Sequence, residues 1–230
     1  MKLKYILWIL CIFLLSSFVY ADRTEYPAGT NPLSADHLYD GTLTGTSAED
    51  QIGSTDLTKN GDANNEACDF VDSDTCLHFD GSGDSFSIGN DYFYGNSEWS
   101  FCGWTKPAGD YSNKYIFGDR SVGGTQNLEF NAYNSGDYLG WAINYPVHAE
   151  LSSNNTVDLS ASGTWFHWCL TFDDARTPKA ILYINGNAVG TTSDTVGNSG
   201  DTLVIGNLRA TGGYSYDGVM NDVLIWDDTA

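Results

Sequence analysis

Apolar and polar positions alternate one for one along much of the chain from Phe79 onward. Between Trp165 and Asp173, the side chains of Phe166, Trp168, Leu170 and Phe172 fall on one face. Trp165, His167, Cys169 and Thr171 fall on the other. Leu139, Trp141, Ile143 and Tyr145 alternate in the same way with Tyr138, Gly140, Ala142 and Asn144. A period of two is that of a half-buried β-strand. Runs of this kind predict strands at Leu77–Phe79, Ser85–Ile88, Trp99–Lys106, Tyr115–Phe117, Asn127–Tyr133 and Tyr138–Tyr145. Further runs predict them at Thr156–Leu159, Trp165–Asp173, Ala180–Ile184, Ala188–Thr192, Leu203–Ile205 and Gly218–Trp226. Many short strands separated by Gly, Ser, Asn and Asp clusters imply an all-β sandwich or barrel. Within Leu182–Val189 the pair Asn185-Gly186 splits the alternation. Both residues accept positive φ, so a tight hairpin is expected there. No helix is expected after residue 21, where Lys and Glu are scarce and turn-forming residues abundant.

The first residues follow a different pattern. Lys2 and Lys4 precede an apolar run from Tyr5 to about Leu15, and Val19-Tyr20-Ala21 places small residues where a signal peptidase reads. Residues 1–21 therefore read as a signal peptide. An uncleaved anchor is the alternative, against which the run is short and soon followed by Asp22, Arg23 and Glu25. Residues 22–35 form an N-terminal arm, and 36–230 suit a single all-β domain. The protein is then secreted, extracellular or at the cell surface, with no membrane contact after cleavage. Its formal charge of −20 disfavours nucleic acid and anionic membranes, both of which bind positive charge.

Cys68, Cys76, Cys102 and Cys169 remain after residue 21, an even number that reads as disulfides behind a signal peptide. Of three connectivities, the expected one joins Cys68 to Cys76 as a loop staple and Cys102 to Cys169 between strands. Zinc is not expected, because no C-x-x-C pair occurs and the histidines are scattered.

Seven segments, in order, resemble the laminin-G-like jelly roll of the concanavalin A-like lectin and glucanase superfamily. His37-Leu38-Tyr39-Asp40-Gly41 is similar to its opening strand, and Asp56-Leu57-Thr58-Lys59-Asn60-Gly61 to the strand and turn that follow. Leu77–Phe86 resembles F-D-G-x-x-D-aromatic, Trp99–Pro107 resembles F-T-x-S-x-W-x-K-P, and Trp165–Asp173 resembles W-x-H-x-A-L-T-Y-D. The Leu182–Val189 hairpin follows, then Leu203–Asn207 and Tyr216–Trp226, similar to L-x-I-G-N and F-x-G-x-I-D-D-V-R-I-W. The resemblance implies a two-sheet antiparallel jelly-roll sandwich and places Cys102 and Cys169 on strands of one region. Two departures stand out: Ala48–Ser54 replaces the usual D-x-S-G-N-G-N loop, and the usual continuation after the final tryptophan is missing. Truncation of the sequence is the plainer explanation; because Leu33-Ser34-Ala35 resembles that continuation, head-to-tail pairing of subunits through the arm is the alternative expectation.

The resemblance also suggests a site for calcium, bordered by Asp80, Asp84 and Asp222. Calcium takes six to eight oxygen ligands, although aspartate before glycine is also ordinary turn chemistry. Sugar binding needs aromatic platforms beside amides and carboxylates, and Tyr133, Tyr138, Trp141, Asn144 and Tyr145 offer that mixture on two consecutive strands. Trp141 shares the parity of Leu139 and Ile143 and so reads as core, whereas Tyr138 and Asn144 take the opposite face. Asn154 begins an N-x-T sequon.

Catalytic patterns are lacking. Retaining glycosidases of the superfamily place paired carboxyls on one strand face, and no two of Glu25, Glu49, Glu66, Glu98, Glu129 and Glu150 have that spacing. There is no G-x-S-x-G elbow. His167, between strand aromatics, reads as a satisfied sandwich residue. The expected function is a non-catalytic recognition or adhesion module for an extracellular glycan or surface protein. A self-assembling filament or surface subunit and a glycoside hydrolase with an unrecognised site are the alternatives.

Overall fold

Alternation becomes burial in the computed structural model, which describes residues 37–39, 43–51, 54–69, 75–90, 92–108, 114–120, 126–133, 138–143, 148–152, 163–196, 202–208 and 214–227. Residues 1–35, expected to be a signal peptide and an arm, lie outside the described residues, as do the expected Thr156–Leu159 strand, the sequon, Asn144 and Tyr145. The early strands are β1 (His37–Tyr39), β2 (Leu43–Thr44), β3 (Ser47–Ala48), β4 (Leu57–Asn60), β5 (Asn64–Ala67), β6 (Thr75–Asp80) and β7 (Ser85–Asn90). The middle strands are β8 (Glu98–Pro107), β9 (Lys114–Arg120), β10 (Gln126–Tyr133), β11 (Tyr138–Ile143) and β12 (His148–Ser152). The last are β13 (Phe166–Asp173), β14 (Ala180–Ile184), β15 (Asn187–Thr192), β16 (Thr202–Ile205) and β17 (Asp217–Asp227). No helix occurs among the described residues.

These strands form two antiparallel sheets. The first runs β15-β14-β13-β8-β17-β6-β5, with β1 also on β17; the second runs β12-β11-β10-β9-β16-β7-β4-β3-β2. The chain's first described strand thus pairs with its own last one, His37 opposite Ile225. The segments of Phe79 and the closing strand are direct neighbours, with Gly218 opposite Phe79.

Burial on β13 alternates along its whole length, Phe166, Trp168, Leu170 and Phe172 being buried and their neighbours half-buried. Trp168 links the sheets. Its ring meets Phe101 of the first sheet edge-on at 5.0 Å, and Phe117 and Phe130 of the second at 5.2 and 6.1 Å. Such aromatic pairs add about 0.5–1.5 kcal/mol each beyond area burial. The indole lies over Gly103, its partner across β8, where a methyl group would come within 2.7 Å of Cζ2. The hairpin turn expected at Asn185-Gly186 forms, with φ of 49° and 77°. Both disulfides join as expected, Cys68 to Cys76 and Cys102 to Cys169, the latter between residues directly opposite on β8 and β13.

Four short strands depart from the sequence expectation. β5, Asn64–Ala67, is fully exposed and carries no apolar alternation to reveal it. It exists because it extends the sheet edge beside β6, with Glu66 opposite Cys76. β2, β3 and β12 likewise extend the two ends of the second sheet, with Leu43 and Leu57 on either side of Ala48 and Ala149 opposite Trp141.

Candidate functional site

The two faces of the first sheet follow from register. On β8, Phe101 and Thr105 point into the core, so Cys102, Trp104 and Lys106 point out. On β17, Val219 lies opposite Lys106, and Asn221 opposite Trp104. On β6, His78 lies opposite Val219. Lys106, Val219 and His78 therefore form one row across three strands, on the outer face of the sandwich. Trp104 and His167 form the next row, their rings 5.1 Å apart. Burial holds the His167 pKa below its ordinary value, and Asn185 Oδ1 accepts the His167 backbone N–H at 2.9 Å.

Above the first row lies a cleft of about 430 Å³. Glu66 and Asp69 come from β5 and the segment after it, His78 from β6, Lys106 and Pro107 from β8, and Val219 from β17. The Cys68–Cys76 bridge ties the Asp69 segment back to β6. Lys106 Nζ donates to both oxygens of Asp69, at 2.7 Å each. Trp165 Nε1 donates to Asp69 Oδ1 at 3.0 Å. The donors from Lys106 first, then Trp165, hold the Asp69 carboxyl below the usual carboxylate range. On the other wall His78 Nε2 stands 3.8 Å from Glu66 Oε1. The site thus presents a fixed ion pair, an indole, an imidazole and a second carboxylate.

The sequence reading placed a sugar platform on the other sheet. Tyr133 and Tyr138 are paired in register on β10 and β11. Trp141 is buried, at 1% exposure, so its ring belongs to the core and offers no platform. That is the outcome its parity with Ile143 implied, and it removes Trp141 from the candidate ligand contacts. The cleft residues went unnoticed because Asp69, Lys106 and Trp165 share no local motif. The one signal available was that Lys106 and Trp165 each take the outward parity of their strands.

The acidic group differs from expectation in one member. Asp62, Asp80 and Asp84 bring carboxylate oxygens within 4.8 Å of one another. Asp222 does not join them. Asp80 lies opposite Asp217, and five further residues of extended strand put Asp222 roughly 15 Å along β17. It sits instead at a bulge between Asn221 and Leu224, with φ of 45°. Asp62, in the turn between β4 and β5, takes its place.

This group accounts for its own geometry. Asp84 is buried, Oδ1 accepting the Asp62 N–H at 2.9 Å and Oδ2 the Asp80 N–H at 3.0 Å. Asp80 Oδ1 in turn accepts the Ser82 N–H at 2.7 Å, an Asx turn. Burial, reinforced by the neighbouring carboxylates, raises the Asp84 pKa. Oxygen donors of this kind suit a hard cation such as calcium, but the hydrogen bonds explain the convergence of the three aspartates without an ion.

Residues 80–230 match the family model of the concanavalin A-like lectin/glucanases superfamily. Domain 4 of AbnA, a GH43 extracellular arabinanase from Geobacillus stearothermophilus, solved in complex with arabinotriose, superposes with a TM-score of 0.60. The identity is 13%, over 84% of this chain and 92% of that one. Trypanosoma rangeli sialidase gives 0.60 at 14% identity, over 90% of this chain; the chain spans only 33% of the sialidase. A structure of botulinum neurotoxin type C, described as dependent on two ganglioside molecules for cell entry, gives 0.54 at 11% identity, over 85% of this chain and 48% of that one. At these identities the likeness is one of fold. Curated protein sequences give no match.

Proposed function

Because the chain belongs to the concanavalin A-like lectin/glucanases superfamily, we propose that it is an extracellular glycan-binding module whose ligand occupies the cleft over β5, β6, β17 and β8. One observation carries this reading: the Asp69–Lys106 pair, oriented by Trp165, beside a 430 Å³ cleft. Sugar sites combine apolar surface with a few fixed polar groups, and this cleft has both. A solved domain of like fold in complex with arabinotriose is in keeping with the reading. Two disulfides support an oxidising compartment. Among the described residues no helix is long and apolar enough to cross a membrane.

Catalysis is the weaker reading at this site. A glycosidase acid needs a raised pKa, whereas Asp69 is pushed down. The test is a screen of the purified protein on immobilised neutral and acidic glycans, run with calcium and with chelator. It is repeated with Ala67→Trp, which fills the cleft from an exposed position on the edge strand. Glycan binding lost in A67W is the expected result. No glycan bound, or binding indifferent to A67W, would defeat the reading. Turnover of the bound glycan would replace binding by hydrolysis.

A further inference from the structure

We infer that the cleft selects a neutral sugar through one vicinal pair of hydroxyls, which bridges Asp69 and Lys106. This rests on the glycan reading above and adds the class of sugar to it.

A lysine ammonium has three N–H donors and no acceptor. Two of the Lys106 donors are committed, to Asp69 Oδ1 and Oδ2. An ionised carboxylate has about four acceptor sites and no donor. Among the described residues, the side-chain donors that reach Asp69 are Lys106 and Trp165 at Oδ1 and Lys106 at Oδ2. One donor on Lys106 and one acceptor site on Asp69 Oδ2 are left, held side by side by the ion pair.

A hydroxyl both donates and accepts. Two hydroxyls on adjacent ring carbons stand close enough for one to donate to Asp69 Oδ2 while its neighbour accepts from Lys106 Nζ. Both contacts are charge-assisted and so stronger than neutral ones. An acidic sugar fits worse. Its carboxylate has no proton for Asp69, and taking the remaining Lys106 donor would set it against the Asp69 carboxylate. It would also approach Glu66, on a chain of formal charge −20. The low pKa of Asp69 keeps the pair intact into the acid range.

The test is calorimetric titration of the full chain with xylotriose, mannotriose, arabinotriose and trigalacturonate. The neutral trisaccharide that binds is then replaced by its monodeoxy analogues. Two adjacent deoxy positions should each weaken binding about tenfold, the loss of one charge-assisted hydrogen bond. Trigalacturonate should bind more weakly than the neutral sugar. In Asp69→Asn, checked for folding by its melting temperature, one of those two deoxy positions should cost nothing further. Lys106→Met should do the same for the other position. Binding that is lost in A67W but shows no adjacent pair of sensitive hydroxyls overturns this inference and leaves the glycan reading standing. So does a preference for trigalacturonate. Failure of all four sugars, or binding that survives A67W, overturns both.

Discussion

Two aspartates show how the same side chain is put to opposite uses. Asp84 is buried among carboxylates, takes two backbone N–H groups and has its pKa raised. Asp69 is exposed, takes a lysine and an indole, and has its pKa lowered. The first stitches the turn between β4 and β5 to the turn after β6, and its charge is a cost that the hydrogen bonds offset. The second has a cation that keeps it charged and spare capacity that faces a cleft. In a chain this acidic, an aspartate's own charge says little about its role; the donors beside it decide.

The largest change should follow from cutting the cleft's staple. Closing the short loop between Cys68 and Cys76 is worth about 2–3 kcal/mol on the chain-entropy account. The double variant C68S/C76S should lose that stability in urea unfolding and, with Asp69 released, its glycan binding. If binding survives intact, the bridge does not position Asp69.

Next comes D84A, which strands two N–H donors and should cost about 2 kcal/mol. For a domain of this size that is roughly 4–8 °C in melting temperature. Glycan binding at the cleft should be unchanged once the protein is folded. A loss of affinity in folded D84A would erase the contrast between the two sites.

The pH dependence should separate them further. Asp84 has a folded pKa above its unfolded value of 3.8. Its protonated form is therefore favoured by folding, and that contribution fades as pH rises through the folded pKa. Stability of the wild type relative to D84N should decline from about pH 4 toward neutrality, read from urea midpoints. Asp69 behaves in the reverse sense. Its contribution is present above 3.8 and is lost as pH falls through the lowered value. A wild-type curve parallel to that of D84N would show that Asp84 is not perturbed.

The smallest effect belongs to Trp165→Phe. It keeps a ring and removes the N–H that orients Asp69, so affinity should fall only a few-fold, by loss of one hydrogen bond. The melting temperature should hardly move. An affinity unchanged within error would show that Lys106 alone suffices to fix Asp69.

Much of the fold was open to reading in one dimension. The alternation of Phe166–Asp173 became a strand of alternating burial, Asn185-Gly186 became a turn, and the parity of Trp141 put it in the core. Each depends on neighbours in sequence and on a period of two. The cleft was not legible, because Asp69 and Lys106 are 37 residues apart and Asp69 and Trp165 are 96 apart. Neither was Asp62 as the third member of the acidic group, since it sits in the turn between β4 and β5, 22 residues from Asp84.

The sequence by itself determined the alternating strands and their inward and outward faces, because alternation is written in adjacent residues. Only the tertiary structure decided which outward residues meet. Register across β6, β17 and β8 sets Lys106 beside Val219 and His78, and the folding back of β5 brings Asp69 over them. The physical reason is that each pairing shifts with strand register, which the whole core fixes at once and no local segment encodes.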